Sequence, residues 1–479
     1  MKKVIQLSLF IFALIGIAFS CRKDPVNTDS SAKLSFSSDT IFFDTVFARI
    51  GSSTHRFSIH NKSDKKIIVT SIALKNGASS SFKLNVDGSP GYSHNNLEIA
   101  ANDSILVFAE VTVDPQNSNT PYVIEEDIVC QTNGNNQSIT LVAWGQRAIF
   151  HRAPKGFSAF AIGNAFWNSD TPHVVYGIGV VDSGKILTIT AGAKIHFHTG
   201  ASLYVAQNAT LKALGSKDQP IIFQGDRLDP SYEEIPGQWN GIYLSPLSKD
   251  NKINFAVIKN GSIGIQADTV NGINPTLILK NTWIRNMSQM GLFGRGASIE
   301  AYNCIISNCG TYCAALTMGG SYQFFHCTIG NFWMSGSNNR KTPALLVNNW
   351  FQAASLAVIP RDLVMANFYN CIVYGNAVNE VVMSKNDQGQ FNFKFDHCLL
   401  KADAEKTITT GPEFISCIAN SDPIFKNSSY DYNLEKDSPA LQKGDMTVVT
   451  NHFSDLSTDL VAFDRSTGPA PDMGALEKQ

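Results

Sequence analysis

The feature that most constrains this chain is a repeat. The segments "NFAVIKN" (254–260), "NTWIRN" (281–286), "NCIISN" (303–308), "HCTIGN" (326–331), "NCIVYGN" (370–376) and "HCLLKA" (397–402) align in columns. A small residue stands in one column: Ala256, Thr282, Cys304, Cys327, Cys371 and Cys398. Two residues on, the column is aliphatic: Ile258, Ile284, Ile306, Ile329, Val373 and Leu400. Two further on stand Asn260, Asn286, Asn308 and Asn331, while the fifth segment shifts by one to Gly375 and Asn376. The first steps between segments are 26, 22 and 23 residues. A period in that range marks a solenoid. Within each segment the alternation is two, so the small and aliphatic residues share one strand face. Stacked coils would then form parallel sheets with internal ladders, and asparagine suits the left-handed backbone of the turns.

On this reading Cys304, Cys327, Cys371 and Cys398 are free, buried, small hydrophobes. Cys309 and Cys313 fall in a turn, where an oxidising compartment leaves a disulfide open. No second Cys or His pair stands at zinc-ligand spacing, and no metal site is assigned. His196 and His198 of "KIHFHTG" are read as an exposed strand face without a third ligand.

A second strand recurs once per coil: "GIQA", "GLFG", "AALTM", "ALLVN" and "VVMSK". Only one lies between Cys327 and Cys371, so that stretch is one coil lengthened by two inserts, 333–343 and 350–362. The turn 226–239 is also long. Loops leaving a rigid scaffold are where binding concentrates. Trp333, Arg340, Lys341 and Trp350 combine aromatic faces with cations, a mixture that suits a sugar bearing carboxylate or sulfate; the alternative is that the Trp residues cover the solenoid side and the cations are solvated. Asp226, Asp229, Glu233 and Glu234 could hold calcium or act as paired carboxylates; the alternative is a charged surface loop stiffened by Pro230 and Pro236. Trp239 is expected to pack beneath it.

Residues 33–147 are different. "HRFSIHN", "KKIIVTSIAL", "SILVFAEVTV" and "QSITLVAWG" alternate like strands of a β-sandwich, broken by Asn, Ser, Asp and Gly. The N-terminus is a targeting segment: Lys2 and Lys3 precede an apolar run ending in "IAFSC". It resembles a bacterial lipoprotein signal peptide, which implies cleavage before Cys21 and lipidation there. A polar tether follows. The net charge of −2, with 16% charged and 43% hydrophobic residues, fits neither a polyanion binder nor a disordered chain. No nucleic-acid partner is expected.

Two further resemblances organise the whole. The runs "DTIFFDTVFARIGSSTHRFSIHNKSDKKIIVTSIAL", "LEIAANDSILVFAEVTVDP" and "ITLVAWGQ" resemble immunoglobulin-like domains of the ASPM/SPD-2/Hydin type, which implies a spacer or interaction module. From about residue 155 the chain resembles right-handed parallel β-helices, the fold of pectate lyases and polygalacturonases. "DPIF", "DYNLEKDSPALQKGD" and "DRSTGPAPDMGALE" resemble the C-terminal segment of bacterial surface β-helix proteins, implying a last coil and a cap over the solenoid end, with Arg465, Asp472 and Glu477 as a structural polar cluster. The "NTD", "DD", "GHG" and "RIK" elements of polygalacturonase-like hydrolases do not appear in the solenoid. No rung series of acids suited to a lyase's calcium is visible.

The expected fold is all-β, an immunoglobulin-like β-sandwich followed by a right-handed parallel β-helix. The expected boundaries are 1–20 signal peptide, 21–32 lipidated cysteine and tether, 33–147 sandwich, 148–420 β-helix, and 421–479 final coil and cap. The expected function is a non-catalytic glycan-binding or envelope-interaction protein, with a polysaccharide or another envelope component as partner. Its expected location is the bacterial cell envelope, at the outer membrane, where a lipid anchor is its only membrane contact. The alternatives are a polysaccharide lyase or glycoside hydrolase acting on an acidic polysaccharide, and a purely structural scaffold.

Overall fold

The computed structural model describes residues 25–47, 51–114, 122–269, 275–335, 338–403 and 410–478. The signal segment and Cys21 lie outside the described residues. The chain divides into two compact units, Met1–Arg147 and Ala148–Gln479.

The first unit is a β-sandwich of two five-stranded sheets. One sheet runs Ser35–Phe36, His55–His60, Ser104–Val111, Phe82–Val86, Ser89–Gly91; the other runs Thr40–Phe47, Asn135–Gln146, Tyr122–Thr132, Ile67–Leu74, Ser93–Ile99. The inward positions of both sheets meet in one core that includes Phe43, Ile59, Val69, Phe82, Val107, Ile128 and Leu141. This is the alternation expected when each sheet has one dry face.

The second unit is a right-handed parallel β-helix. Three parallel sheets of 11, 9 and 10 strands run its length. Coils are numbered here by their first-sheet strands, from coil 1 (Ile149–Arg152) to coil 11 (Ile418–Ala419). The aliphatic column forms a continuous ladder: Ile258 lies beside Ile284, Ile284 beside Ile306, Ile306 beside Ile329, Ile329 beside Val373, and Val373 beside Leu400. All are fully buried. The cysteine column beside it is free and buried, with the Cys327 amide donating to Cys371 Sγ and the Cys371 amide to Cys398 Sγ, both at 3.4 Å. Cys417 extends this column into coil 11, which the repeat did not reveal. Cys309 and Cys313 are also free and buried. In the third sheet Phe324, Phe368, Phe395 and Phe414 stack inside the solenoid at 5.0, 4.7 and 5.3 Å between centroids.

The stretch between Cys327 and Cys371 is one coil, since Thr328–Asn331 pairs directly with Ile372–Gly375. Its first insert leaves the corner between first and second sheets, and the second forms a hairpin, Trp350–Gln352 with Val358–Pro360, at the next corner.

The C-terminal segment departs from the expected end cap. After coil 11 it runs back along the outer face of the first sheet. Leu434, Ala440 and Met473 pack on Ile372 and Leu399, while Tyr432, Ala475 and Leu476 pack on Ile305. Val448, Val449 and Leu456 cover Tyr302 and Phe325. The physical reason is the outward residues of these coils, which are apolar where a solvated face would be polar. Gly330 completes the seat: a Cβ there would stand 2.4 Å from the Tyr432 ring. Arg465 is fully buried in this strap, donating to Glu477 Oε1 at 2.9 Å and to Asn303 Oδ1 at 2.5 Å. Asp472 takes the Gln442 amide at 2.7 Å, and its own amide donates to Glu477.

Candidate functional site

The strap covers the first sheet from coil 7 onward and stops at coil 6. There the sheet carries Trp283 and Arg285 outward, and a groove of about 470 Å³ opens over them. Its floor is Trp283 and Arg285; Glu234 and Asn286 line it from the 226–239 side, and Asn308 and Tyr430 from the strap side. Tyr430 is 65% exposed.

The asparagine column builds both walls. Asn260 and Asn286 sit at φ 64° and 60°, which frees their amides from the strand ladder and turns them outward. Asn260 Nδ2 donates to the Glu233 carbonyl at 2.7 Å and Asn286 Nδ2 to the Glu234 carbonyl at 2.7 Å. The two also bond to each other, Asn286 Nδ2 to Asn260 Oδ1 at 2.8 Å. One coil on, Asn308 Nδ2 donates to the Ser429 carbonyl of the strap at 2.8 Å. Three successive repeats thus fasten two loops distant in sequence to the edges of one groove.

The floor is held equally firmly. Trp283 Nε1 donates to Ser307 Oγ at 2.9 Å, and Tyr432 meets the indole edge-on at 6.2 Å. The Arg285 guanidinium lies 5.3 Å over the Trp283 ring and donates to Glu234 Oε2 at 2.7 Å. Lys259 stands 3.9 Å from the same carboxylate. Burial, then the Arg285 charge, push the Lys259 amine below its usual value, against Glu234 and Glu233. Of the charged residues lining the groove, Arg285 is paired with Glu234 and Glu233 stands beside them, while Lys259 lies next to the lining rather than in it.

The residues singled out in sequence are distributed otherwise. Asp226 accepts from His198 Nδ1 at 2.8 Å, Asp229 faces Arg227 at 3.4 Å, and Glu234 holds Arg285. Glu233 is exposed and contributes its carbonyl. Three of the four acids are thus engaged by separate partners, and the calcium reading of this turn has no cluster to rest on: no group of three or more metal-ligating side chains occurs among the described residues. Trp239 is fully buried, stacked on Phe197 at 4.2 Å. His196 departs from the exposed-face reading. It is buried, donating to the Gly225 carbonyl at 3.3 Å, and burial pushes its imidazole down to about 4.

Arg340 requires the main correction. Its side chain is fully buried and forks onto Glu380, with Nη2 at 2.6 and 2.8 Å from the two carboxylate oxygens. Glu380 also takes the Ala344 and Ala377 amides, each at 2.7 Å. Arg340 fastens the first insert to the next coil, and no charge is left for a ligand. Lys341 is exposed. Trp333 is half-buried, its carbonyl accepting from Asn376, while Trp350 is half-buried at the other corner with Nε1 donating to Ser384 Oγ at 3.1 Å. The four do not converge. Sequence reading missed Trp283, Arg285 and Tyr430. Trp283 and Arg285 stand inside the aligned repeat, "NTWIRN", at the outward positions where neighbouring coils carry Val257, Ile305, Thr328 and Ile372, or Lys259, Ser307 and Gly330. An aromatic at an outward position of the repeat, with a cation two residues on, was the available signal.

No family profile matches the chain, and no curated protein matches it in sequence. Among solved structures, the pectate lyase Pel9A aligns at 12% identity over 70% of this chain and 88% of its own, with a TM-score of 0.30. XylC in complex with xylose aligns at 9% identity over 92% of this chain and 88% of its own, with a TM-score of 0.31. The human CEP192 ASH/PapD-like domain aligns at 11% identity over 27% of this chain and 96% of its own, with a TM-score of 0.18. At such scores the likeness reaches neither residues nor chemistry.

Proposed function

We propose that this is a lipid-anchored envelope protein that binds a polysaccharide in the groove over coil 6. One observation carries the reading: Trp283 and Tyr430, two partly exposed rings, line a groove whose walls are fastened by side chains of the repeat itself. Flat rings stack on sugar faces, and a site held in place before binding loses little entropy when the ligand arrives. Because Glu234 already answers Arg285 and Lys259, the ligand is an uncharged glycan. Carboxylate-rich chains would have to displace Glu234. Anchoring at Cys21 would hold the groove at the membrane surface, and the sandwich would act as a spacer.

The test is retention in native gels containing neutral or acidic polysaccharides. Retardation is expected with at least one neutral glycan. Trp283→Ala should weaken it roughly 10-fold or more, the loss of about 1.4 kcal/mol. Equal retardation of wild type and Trp283→Ala would refute the groove as the binding site.

A further inference from the structure

Coils 1 to 4 place four chemically distinct side chains at one register of the first sheet. Arg152 is level with Tyr176, and the same register continues through His198 to Asp226. The contacts follow the ladder. The Arg152 guanidinium lies 4.9 Å over the Tyr176 ring, Tyr176 stacks on His198 at 4.4 Å between centroids, and His198 Nδ1 meets Asp226 Oδ2 at 2.8 Å. Asp226 is mostly shielded while the His198 side chain is 46% exposed. With Nδ1 committed to the carboxylate, Nε2 is the nitrogen presented to solvent. Burial, then the Asp226 charge, hold the Tyr176 phenol up at about 12, so it remains a hydrogen-bond donor at neutral pH.

A base oriented by a carboxylate, beside a neutral donor and a cation, is an arrangement for proton transfer with an oxyanion nearby. Glycosidic hydrolysis in most enzymes uses two carboxyl groups flanking the bond, and this ladder holds one, engaged by His198. A neutral glycan offers no carbon acid. An ester substituent on such a glycan is the bond this set can cleave.

We infer that the first sheet carries an ester-hydrolysing centre, in which His198 is the general base for water and Tyr176 and Arg152 receive the oxyanion of an acylated neutral polysaccharide. The inference rests on the neutral-glycan reading of the groove. Water gives a proton to His198 Nε2 as its oxygen bonds to the ester carbonyl carbon. The carbonyl oxygen becomes an oxyanion facing the Tyr176 hydroxyl and Arg152. On collapse the ester C–O bond breaks, and the departing sugar oxygen takes the proton from His198. The products are a free sugar hydroxyl and a carboxylic acid, with water the sole co-reactant. Asp226 is a positioning residue that fixes the imidazole's tautomer.

The experiment incubates the purified full chain with O-acetylated xylan and O-acetylated glucomannan and follows released acetate by NMR. Acetate release is expected. His198→Ala should cut it by about 100-fold or more with unchanged circular dichroism, since the side chain is exposed. Asp226→Asn should lower kcat and displace the pH profile with KM retained, which a merely structural role would not do. Trp283→Ala should raise KM and leave kcat. No acetate from either substrate, with Trp283-dependent gel retardation intact, would overturn the ester centre and leave the binding reading standing. Release unaffected by His198→Ala, or His198-dependent formation of unsaturated sugar ends in place of acetate, would overturn it too. Neither retardation nor acetate would remove both.

Discussion

Arg340 and Glu380 show how a side chain's neighbours in sequence mislead about its role. In "SGSNNRKTP" the arginine stands among polar residues that favour a solvated loop. Its partner is 40 residues on, brought alongside by the stacking of coils. Burial pushes the Glu380 carboxyl above its ordinary value, while the Arg340 charge and two backbone amides pull it down. Removing one partner of such a pair leaves an uncompensated buried charge. Glu380→Gln is therefore expected to destabilise the β-helix by roughly 3–5 kcal/mol, measured by urea denaturation, while retardation by neutral glycans at a temperature where the variant is folded stays as in wild type. A specific loss of binding with unchanged stability would return Arg340 to the ligand site. The inward columns were legible because each depends on residues two apart in one strand and on a repeated step. The pairs Glu234–Arg285, His198–Asp226 and Asn308–Ser429 were not, because nothing local records how far a loop travels along the stack.

At the scale of the element, the corner asparagines do more than turn the chain. Their left-handed backbone was readable from residue type, and stacking of their amides was expected. Only the Asn286–Asn260 bond follows that expectation within this column, and the larger role is to donate to carbonyls of the two groove walls. Asn286→Ala removes the Glu234 anchor and also places alanine at a φ of 60°. Amide hydrogen exchange over 230–236 should accelerate, and glycan binding should weaken several-fold. Asn286→Gly relieves the backbone strain but not the missing amide. It should therefore recover stability without recovering protection of the turn. If glycine restores both, the anchor is backbone geometry alone. The cap was misplaced in sequence for a related reason: a segment rich in turns announces that it covers something, while which face it covers depends on residues of coils as far as 175 residues earlier, as the Lys280–Asp455 contact illustrates.

The whole molecule responds to acid through its buried imidazoles, His196 and His326 within the solenoid and a pair in the first coils. His151 and His173 stack with Trp167 inside coils 1 and 2, with His151 Nε2 and His173 Nδ1 sharing a hydrogen bond at 2.9 Å. Burial, joined for His151 by the His173 charge, pushes both imidazoles down to about 4 from an ordinary 6.5. The unfolded chain takes up these protons below about pH 6.5, whereas the folded chain resists until near pH 4. Stability is thus fully present above pH 6.5 and declines as pH falls to about 4. The apparent Tm should drop over that window, with amides of coils 1 and 2 losing protection, and His173→Phe should lessen the decline. A flat Tm between pH 7 and 4.5 would refute the linkage. The strap has a consequence in time. Residues 421–478 are synthesised after every coil they cover, so Ile305, Ile372 and Leu399 face an uncovered interval during biogenesis. The chain must reach its final compartment, or a chaperone, before that flank finds another copy of itself.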